Sequence, residues 1–161
     1  MTLTSNKAFT LIEIIAVLLL LGVLGAVIGV HFTRSPSQLV TERDRLELHL
    51  RHAQIQALAD TDPWEIEFLS GGTSWQLIPP PDSASIARLP GVFSPSRGES
   101  NDTRVFVSGI TVSGASKIRF DALGRPVNNS DTPISSALTL TLSDGTNTRT
   151  LTILPETGLV Q

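Results

Sequence analysis

The chain has 161 residues, with 12 basic and 15 acidic side chains and a formal net charge of −3 at pH 7. This balance excludes the strong overall positive charge that is typical of nucleic-acid-binding proteins. Because the chain has no cysteine, it can form no disulfide framework, thiolate nucleophile or cysteine-based metal site.

A long apolar segment is the first predicted element. Residues 9–32 contain one formally charged side chain, Glu13, and about 20 apolar residues suffice for a helix to cross the hydrocarbon core of a bilayer. The segment therefore predicts a transmembrane helix. A carboxylate inside it costs about 2.5–3.5 kcal/mol, so we expect Glu13 to have a partner. The alternative is a side chain that reaches back to the lipid headgroups.

The residues around Glu13 form a motif, Lys7-Ala8-Phe9-Thr10-Leu11-Ile12-Glu13, that resembles the processing site of type IV prepilins and type II secretion pseudopilins. The resemblance implies that residues 1–8 are a leader and that a prepilin peptidase cuts between Ala8 and Phe9. It implies that the new amino terminus, on Phe9, is then methylated. It also implies that Glu13 pairs with the terminal amine of a neighbouring subunit during filament assembly. The family usually has glycine where this chain has Ala8.

The charges around the apolar segment indicate its orientation. Lys7 precedes the segment and the leader has no acidic residue, so the positive-inside rule places the leader in the cytoplasm. We therefore expect a single-pass protein of the bacterial inner membrane, with residues 33–161 as a periplasmic globular domain. The mature form would lie in a pseudopilus or pilus.

A second, amphipathic helix is predicted for residues 37–60. Its predicted apolar face comprises Leu39, Leu46, Leu50, Ala53 and Ala57, widened by Ile55 and Leu58. Its predicted polar face comprises Glu42, Arg43, Asp44, Arg45, Glu47 and Arg51. His49 and His52 have a spacing that would suit a metal pair, but no third ligand is nearby, and we interpret both as solvated residues of the polar face.

The apolar period changes to two after Pro63, which predicts a β-rich region over residues 64–161. The first predicted hairpin joins residues 64–68 to residues 75–77. The last joins residues 138–142 to residues 150–154 around an Asp-Gly turn. Further strand signals lie at residues 105–107, 110–112 and 118–120. Residues 83–103 lack a clear period and predict a long surface loop, a candidate contact site.

The elements together predict an α+β fold, in which a long N-terminal helix with a transmembrane half and an amphipathic half packs on an antiparallel β-sheet. Their order, residues 51–59, the Phe-x-x-x-Gly-x-Pro run over residues 120–126 and the closing hairpin before Gly158 resemble minor pseudopilins of the general secretion pathway H type and their fimbrial T relatives. This resemblance implies a structural subunit, at or near the tip of a type II secretion pseudopilus, that supports protein export. The implied partners are other pseudopilins or pilins through the N-terminal helix, the prepilin peptidase, the inner membrane and, as an open option, a secreted protein.

Two other functions stay open. The second function is a minor type IV pilin of pilus biogenesis or DNA uptake. DNA uptake needs clustered cations, but the sequence does not show clustering of Arg88, Arg97, Arg104, Arg119, Arg125 and Arg149. We therefore do not expect nucleic acid as a partner. A membrane-tethered enzyme is the third function, yet no catalytic motif occurs and the histidines, His31, His49 and His52, all fall in the helical part. We expect no enzymatic activity, cofactor or metal, although a calcium site assembled by folding stays open.

Overall fold

The computed structural model describes residues 11–30, 36–83 and 86–161, and the chain divides into two compact units, Met1–Ser35 and Pro36–Gln161. In the first unit, helix α1 runs over Leu11–Val30. Within the described residues, no helix has the length and hydropathy together that a membrane span requires. The span predicted for residues 9–32 stays a prediction. The predicted cleavage and methylation residues, Ala8 and Phe9, lie outside the described residues.

Helix α2 opens the second unit and runs over Pro36–Ala59, which confirms the amphipathic helix predicted for residues 37–60. Proline suits the first position of a helix, where its missing amide would have no partner. The predicted apolar face is also confirmed, because each of its five main residues is at most 2% exposed: Leu39, Leu46, Leu50, Ala53 and Ala57.

The predicted widening of this face is wrong. Ile55 and Leu58 are 62% and 55% exposed. Each residue advances about 100° around a helix, so Ile55 lies about 140° from Leu50 and points away from the buried stripe. These two side chains form exposed apolar surface at the C-terminal end of α2.

Eight strands follow in the described part of the second unit: β1 (Trp64–Leu69), β2 (Ser74–Ile78), β3 (Thr103–Val105), β4 (Thr111–Ser113), β5 (Lys117–Phe120), β6 (Pro126–Val127), β7 (Leu138–Ser143) and β8 (Thr148–Ile153). They form two antiparallel sheets, one of order β3-β2-β1-β5-β6 and one of order β4-β7-β8. The predicted β-rich region is confirmed, but as two sheets. Strand β6 was not predicted, because it is two residues long and begins with a proline.

Both predicted hairpins are confirmed. The register of the first runs from Glu65 opposite Ile78 to Leu69 opposite Ser74. That of the last runs from Leu138 opposite Ile153 to Ser143 opposite Thr148. In the last turn the Asp144 carboxylate accepts hydrogen bonds from the amides of Thr146 (2.8 Å) and Asn147 (2.7 Å), which is how aspartate stabilises a tight turn.

Helix α2 packs against strands of both sheets, β1 and β5 of the first and β7 and β8 of the second. The apolar stripe of the helix and the inner faces of the sheets form one core. Its fully buried sheet residues include Trp64, Ile66, Trp75, Phe120, Leu140, Leu142, Leu151 and Ile153. The core therefore fixes the helix between the sheets and leaves one flank of α2 for the loop that joins β2 to β3.

Candidate assembly surface

Glu13 lies in the first turn of α1, on a surface of exposed apolar side chains. Leu11, Ile12 and Ile14 are 76%, 73% and 54% exposed. No hydrogen bond or ion pair to Glu13 is present among the described residues. Its predicted partner, a neighbouring subunit's terminal amine, would come from a part of the chain that the structure does not describe.

The loop between β2 and β3, a predicted contact site, runs along a flank of α2 in the opposite direction to the helix. Near its start, the Ser83 hydroxyl donates a hydrogen bond to Asp60 Oδ2 (2.8 Å). Farther along, the Pro90 carbonyl lies at the middle of the helix. Near the loop's end, Arg45 donates to Glu99 Oε1 (2.8 Å). The part of the loop that the structure describes is thus attached to the helix by polar side chains.

His49 is central to this attachment, and its interpretation as a solvated residue is wrong. It is 1% exposed, because the loop covers the flank of the helix on which it lies. The indole N–H of Trp75 donates to its Nδ1 (3.0 Å), and its Nε2 then donates to the Pro90 carbonyl (3.1 Å). Burial, aided by the charges of Arg104 and Arg45, lowers the pKa of His49 to about 4. The imidazole is neutral and joins helix, sheet and loop.

His52 is half-buried, and burial also lowers its pKa. No group of three His, Cys, Asp or Glu side chains among the described residues is placed to hold a metal ion. His49 uses both ring nitrogens for hydrogen bonds within the chain. His49 therefore has a structural role in the described part of the molecule.

Glu99 fixes the end of the loop. Its carboxylate accepts hydrogen bonds from the Ser94 amide (2.6 Å) and the Val105 amide (3.3 Å), and it forms ion pairs with Arg45 (2.8 Å) and Arg97 (3.2 Å). Burial would raise the pKa of Glu99, but these donors outweigh burial and lower it below its usual value. A buried carboxylate is tolerated where hydrogen bonds and cations compensate its charge.

Glu42 also departs from its predicted place on the polar face, since it is 4% exposed. Its Oε2 has no hydrogen-bond partner in the described structure. The cations of Arg45 and Arg97 lie 3.5 and 3.9 Å from its carboxylate oxygens. Burial raises the pKa of Glu42, and the two arginines counteract only part of that effect. The buried charge of the Glu42 carboxylate is therefore less well compensated by donors and cations than that of Glu99.

Arg104 holds the loop from the sheet side. It is 1% exposed, and its guanidinium donates to the carbonyls of Leu89 (2.9 Å) and Thr103 (3.0 Å) and to that of Ser100. The same group lies 5.8 Å from the ring centroid of Phe93, a cation–π distance. The planar fork of an arginine suits several carbonyls at once. Arg104 is thus a loop-fixing residue and no surface cation.

The motif at residues 120–126 also has a defined structural role. Gly124 takes a φ of +74°, which favours glycine. Gln54 of α2 donates from its Nε2 to the carbonyls of Gly124 and Thr157, both at 2.8 Å. The Asp121 carboxylate accepts from the amides of Leu123 (3.0 Å) and Arg125 (2.9 Å). The run thus forms a turn, and Gln54 binds that turn to the C-terminal half of α2.

The arginines available for anion binding are fewer than the sequence indicates. Arg104 is buried, and three others form ion pairs: Arg97 with Glu99 and Glu42, Arg119 with Glu65 and Asp131, and Arg125 with Asp121. Among the described residues, Arg88 and Arg149 have no ion pair. A groove of about 240 Å³ beside β5 and β6 includes Lys117 and Arg119 in its lining, yet Glu65 lies 3.2 and 3.3 Å from these two cations.

The chain resembles proteins of known class in sequence and in fold. Its structure is similar to two crystal structures of the type IV minor pilin FimU from Pseudomonas aeruginosa strain PAO1, each with 16% sequence identity. The TM-score is 0.56 for the P21 form, over 78% of this chain and 87% of that one, and 0.53 for the P65 form, over 76% and 90%. No curated protein matches the chain. The family model described as Type II transport protein GspH matches residues 42–157. The chain therefore belongs to the GspH family and is a pilin-like minor pseudopilin.

Proposed function

We propose that this chain is a structural subunit of a type II secretion pseudopilus, positioned at or near its tip, where it supports protein export. The observation that carries the proposal is the family match over residues 42–157, joined to the Phe9-to-Glu13 motif that precedes it in the same chain. The globular unit has the fold of the family, and the motif resembles the site at which pilin subunits are processed before they enter a filament.

In this proposal the prepilin peptidase removes residues 1–8 and the amine of Phe9 is methylated. Residues 9–32 hold the subunit in the inner membrane, with the globular unit in the periplasm. Glu13 lies among exposed apolar side chains, where an unpaired carboxylate is costly in lipid. Pairing it with the amine of a neighbouring subunit removes the cost of both charges, so assembly is favoured over dispersal in the membrane.

We propose a structural role in preference to a catalytic one. The polar groups that an active site would use are engaged in holding the loop: His49 through both ring nitrogens and Glu99 through four donors. A general base needs a lone pair that can reach a substrate. Neither of these two side chains offers one.

A minor type IV pilin is the second candidate, and the similarity to FimU favours it. A DNA-capturing form of that function has less support. Phosphate binding needs accessible cations, but Arg97, Arg119 and Arg125 are paired with carboxylates. Of the arginines considered, Arg88 and Arg149 remain available to bind phosphate.

The first experiment measures the intact mass of the chain from cells with and without the prepilin peptidase. We expect the mature chain to begin at methylated Phe9. This form should occur only in cells that have the peptidase. A Glu13→Ala variant should be processed normally but be absent from sheared filaments, whereas Glu67→Ala, on strand β1, should be incorporated. A chain that retains residues 1–8, or normal incorporation of Glu13→Ala, would reject the proposal.

The second experiment separates the two machines. A strain that lacks this chain should accumulate secretion substrates inside the cell and keep its surface pili, and restoring the full chain should reverse the defect. Loss of surface pili with unchanged secretion would assign the chain to a type IV pilus instead. Measuring secreted protein in the medium and pili on the same cells gives both readouts.

A further inference from the structure

Strand β8 is an outer strand of the second sheet, and residues 159–161 occupy half of its outer edge. The Thr152 amide donates to the Gln161 carbonyl (2.7 Å), and the Gln161 amide donates to the Thr152 carbonyl (2.9 Å). Backbone groups of alternate residues point to the same side of a strand. The N–H and C=O groups of Thr148 and Thr150 therefore point to the same outer edge, beyond the part that residues 159–161 cover.

We call residues 148–150 of this strand the open edge. Thr148 and Thr150 are exposed, and their amides donate no hydrogen bond to any residue that the structure describes. Their carbonyls accept long hydrogen bonds from two arginines, Arg149 Nη1 at 3.3 Å and Arg43 Nε at 3.5 Å. A flexible side chain leaves such a carbonyl when a better-placed donor arrives. The open edge thus offers unpaired amides and carbonyls that are readily released.

The other strands at the sides of the two sheets use their outer edges within the chain. On β3, the Val105 amide donates to Glu99. On β4, the Val112 amide donates to the Gly72 carbonyl (2.9 Å). On β6, residues 132–134 bond to the outer edge. Among the described strands, β8 is therefore the place where a further strand can be added without displacing a backbone contact.

An extended polypeptide is the partner that matches such an edge. Its carbonyls would accept hydrogen bonds from the amides of Thr148 and Thr150, and its amides would replace the two arginines at the carbonyls. Main-chain hydrogen bonds of this kind add a peptide strand to a sheet, and the side chains of the strand then decide which peptide is preferred.

Arg149 selects the chemistry of the added strand. It lies between the two threonines, is exposed and forms no ion pair with the described residues. A negative charge directly opposite it on a neighbouring strand is stabilising, and a positive charge is destabilising. A second copy of β8 that bonded both threonines would place Thr148 opposite Thr150 and Arg149 opposite Arg149. The open edge is therefore suited to an acidic strand and not to its own copy.

We propose that an extended segment of a different, neighbouring pilin-like subunit adds to the open edge as a further strand, with an acidic side chain opposite Arg149. The inference rests on the proposed filament function. So short an edge makes few hydrogen bonds, and they do not offset the translational freedom that a freely diffusing protein loses on binding. A subunit already held in the same filament has lost that freedom, and its effective concentration is high. This argument favours a neighbouring subunit over a secreted protein.

The first test identifies the partner by cross-linking in filament-forming cells. The full chain carries a photoreactive benzophenone amino acid in place of Thr148, and the attached peptide is identified by mass spectrometry after irradiation. We expect a peptide that contains Asp or Glu, from a different subunit with its own prepilin-type leader. The same amino acid in place of Thr146, on the exposed turn between β7 and β8, should give about ten-fold less product. A peptide from a second copy or from a secreted protein, or equal yield from the control, would overturn the proposal.

Two substitutions of Thr150 test the backbone contact. Because this amide points away from β7, Thr150→Pro removes a donor of the open edge and leaves the ladder between β7 and β8 in place. It should lower the product about ten-fold. Thr150→Val, which keeps the amide and the branched Cβ, should change the product less than about two-fold. Equal yields from the two variants would show that no strand is added.

A charge variant decides the question if Thr150→Pro proves to be unfolded, as measured by its urea midpoint. Arg149→Glu lies at an exposed position and should lower the cross-linked product about five-fold, whereas Arg149→Lys should keep it. An unchanged yield from Arg149→Glu would overturn the acidic strand.

The proposed function and the strand addition can fail separately. The mass of the mature chain is measured in the same membranes as the cross-linked product. A chain that begins at Phe9 but gives no specific product rejects the strand addition alone. A specific product from a chain that retains residues 1–8 rejects the proposed processing and supports the strand addition.

Discussion

Gly158 lies against Gly124 so closely that a Cβ atom on Gly158 would overlap the Gly124 carbonyl oxygen. That carbonyl also accepts the hydrogen bond from Gln54. The contact joins the turn after β5 to the turn after β8, and both turns to α2. The C-terminal half of α2 is thus bound to both turns through Gln54, next to Gly158, where a side chain would not fit.

Gly158→Ala should therefore destabilise the protein more than a matched glycine substitution elsewhere. Gly145 is the control, since its φ is also positive (+89°, against +63° for Gly158) and nothing lies within 4 Å of its Cβ position. We expect both variants to lose about 1 kcal/mol from backbone strain, and Gly158→Ala about 1–3 kcal/mol more from the overlap. Urea unfolding followed by the fluorescence of Trp64 and Trp75 measures the difference. Equal losses would show that the turns separate without cost.

The buried imidazole of His49 should make stability depend on pH. Its pKa is about 4 in the folded chain and about 6.5 when unfolded, so the unfolded state binds more protons between these values. Stability is complete above pH 6.5 and is lost as the pH falls toward 4. From pH 7 to pH 5 we expect a loss of about 2 kcal/mol from this residue.

His49→Gln is the variant that tests this dependence, because an amide can still accept from Trp75 and donate to Pro90. Between pH 7 and pH 5, the free energy of unfolding of this variant should fall by about 2 kcal/mol less than that of the parent. His52→Gln is the control and should keep most of the slope. Glu42, whose raised pKa favours the folded state as the pH falls, acts in the opposite direction in both variants. An unchanged slope in His49→Gln would contradict the prediction.

Arg104→Lys should loosen the loop between β2 and β3 while keeping the positive charge. A lysine has one nitrogen and cannot reproduce the planar fork that reaches Leu89 and Thr103, so we expect a loss of about 2–3 kcal/mol. Chymotrypsin should then cut after Phe93 faster in this variant than in the parent, as measured by mass spectrometry. Arg149→Lys, at an exposed position of β8, should leave the cleavage rate unchanged. Equal rates for the two variants would show that the loop does not depend on the guanidinium.

The apolar stripe of α2 offers a direct comparison of two leucines. Leu46 is 0% exposed and Leu48 is 52% exposed. Leu46→Ala should lower the free energy of unfolding by about 2–5 kcal/mol, because it leaves a cavity in the core. Leu48→Ala should change it by no more than about 0.5 kcal/mol. Denaturation midpoints of the two variants measure the contrast. A large loss for Leu48→Ala would indicate that this leucine is covered in solution, for example by another subunit.

Local sequence patterns predicted much of the fold. The 3.6-residue period identified Leu39 and Leu46 as core residues, since the sides of a helix are fixed by its geometry. The Asp144-Gly145 pair identified the last hairpin, because its chemistry selects a tight turn. Ile55 departs from its predicted place because its angle around the helix, and not its apolar character, decides whether it is buried.

The buried polar residues could not be predicted in the same way. His49 and Glu42 lie beside the apolar stripe, and a loop from 41 or more residues away in the chain covers them. The helical period of α2 carries no information on which of its residues a distant loop will bury. Arg104 left a weak signal: it lies opposite Trp75 across β2 and β3, so the strand register would have placed it on the inner face.

The hydrogen bond from the Val105 amide to Glu99 Oε1 (3.3 Å) has a consequence for how copies avoid one another. Strand β3 is an outer strand of its sheet, and a free edge of this kind invites the edge-to-edge pairing that leads to aggregation. A side chain occupies the amide that an incoming strand would use. We expect such association to begin only when acid protonates Glu99 or when the loop is cut, so the loop also keeps the sheet from polymerising through its edge.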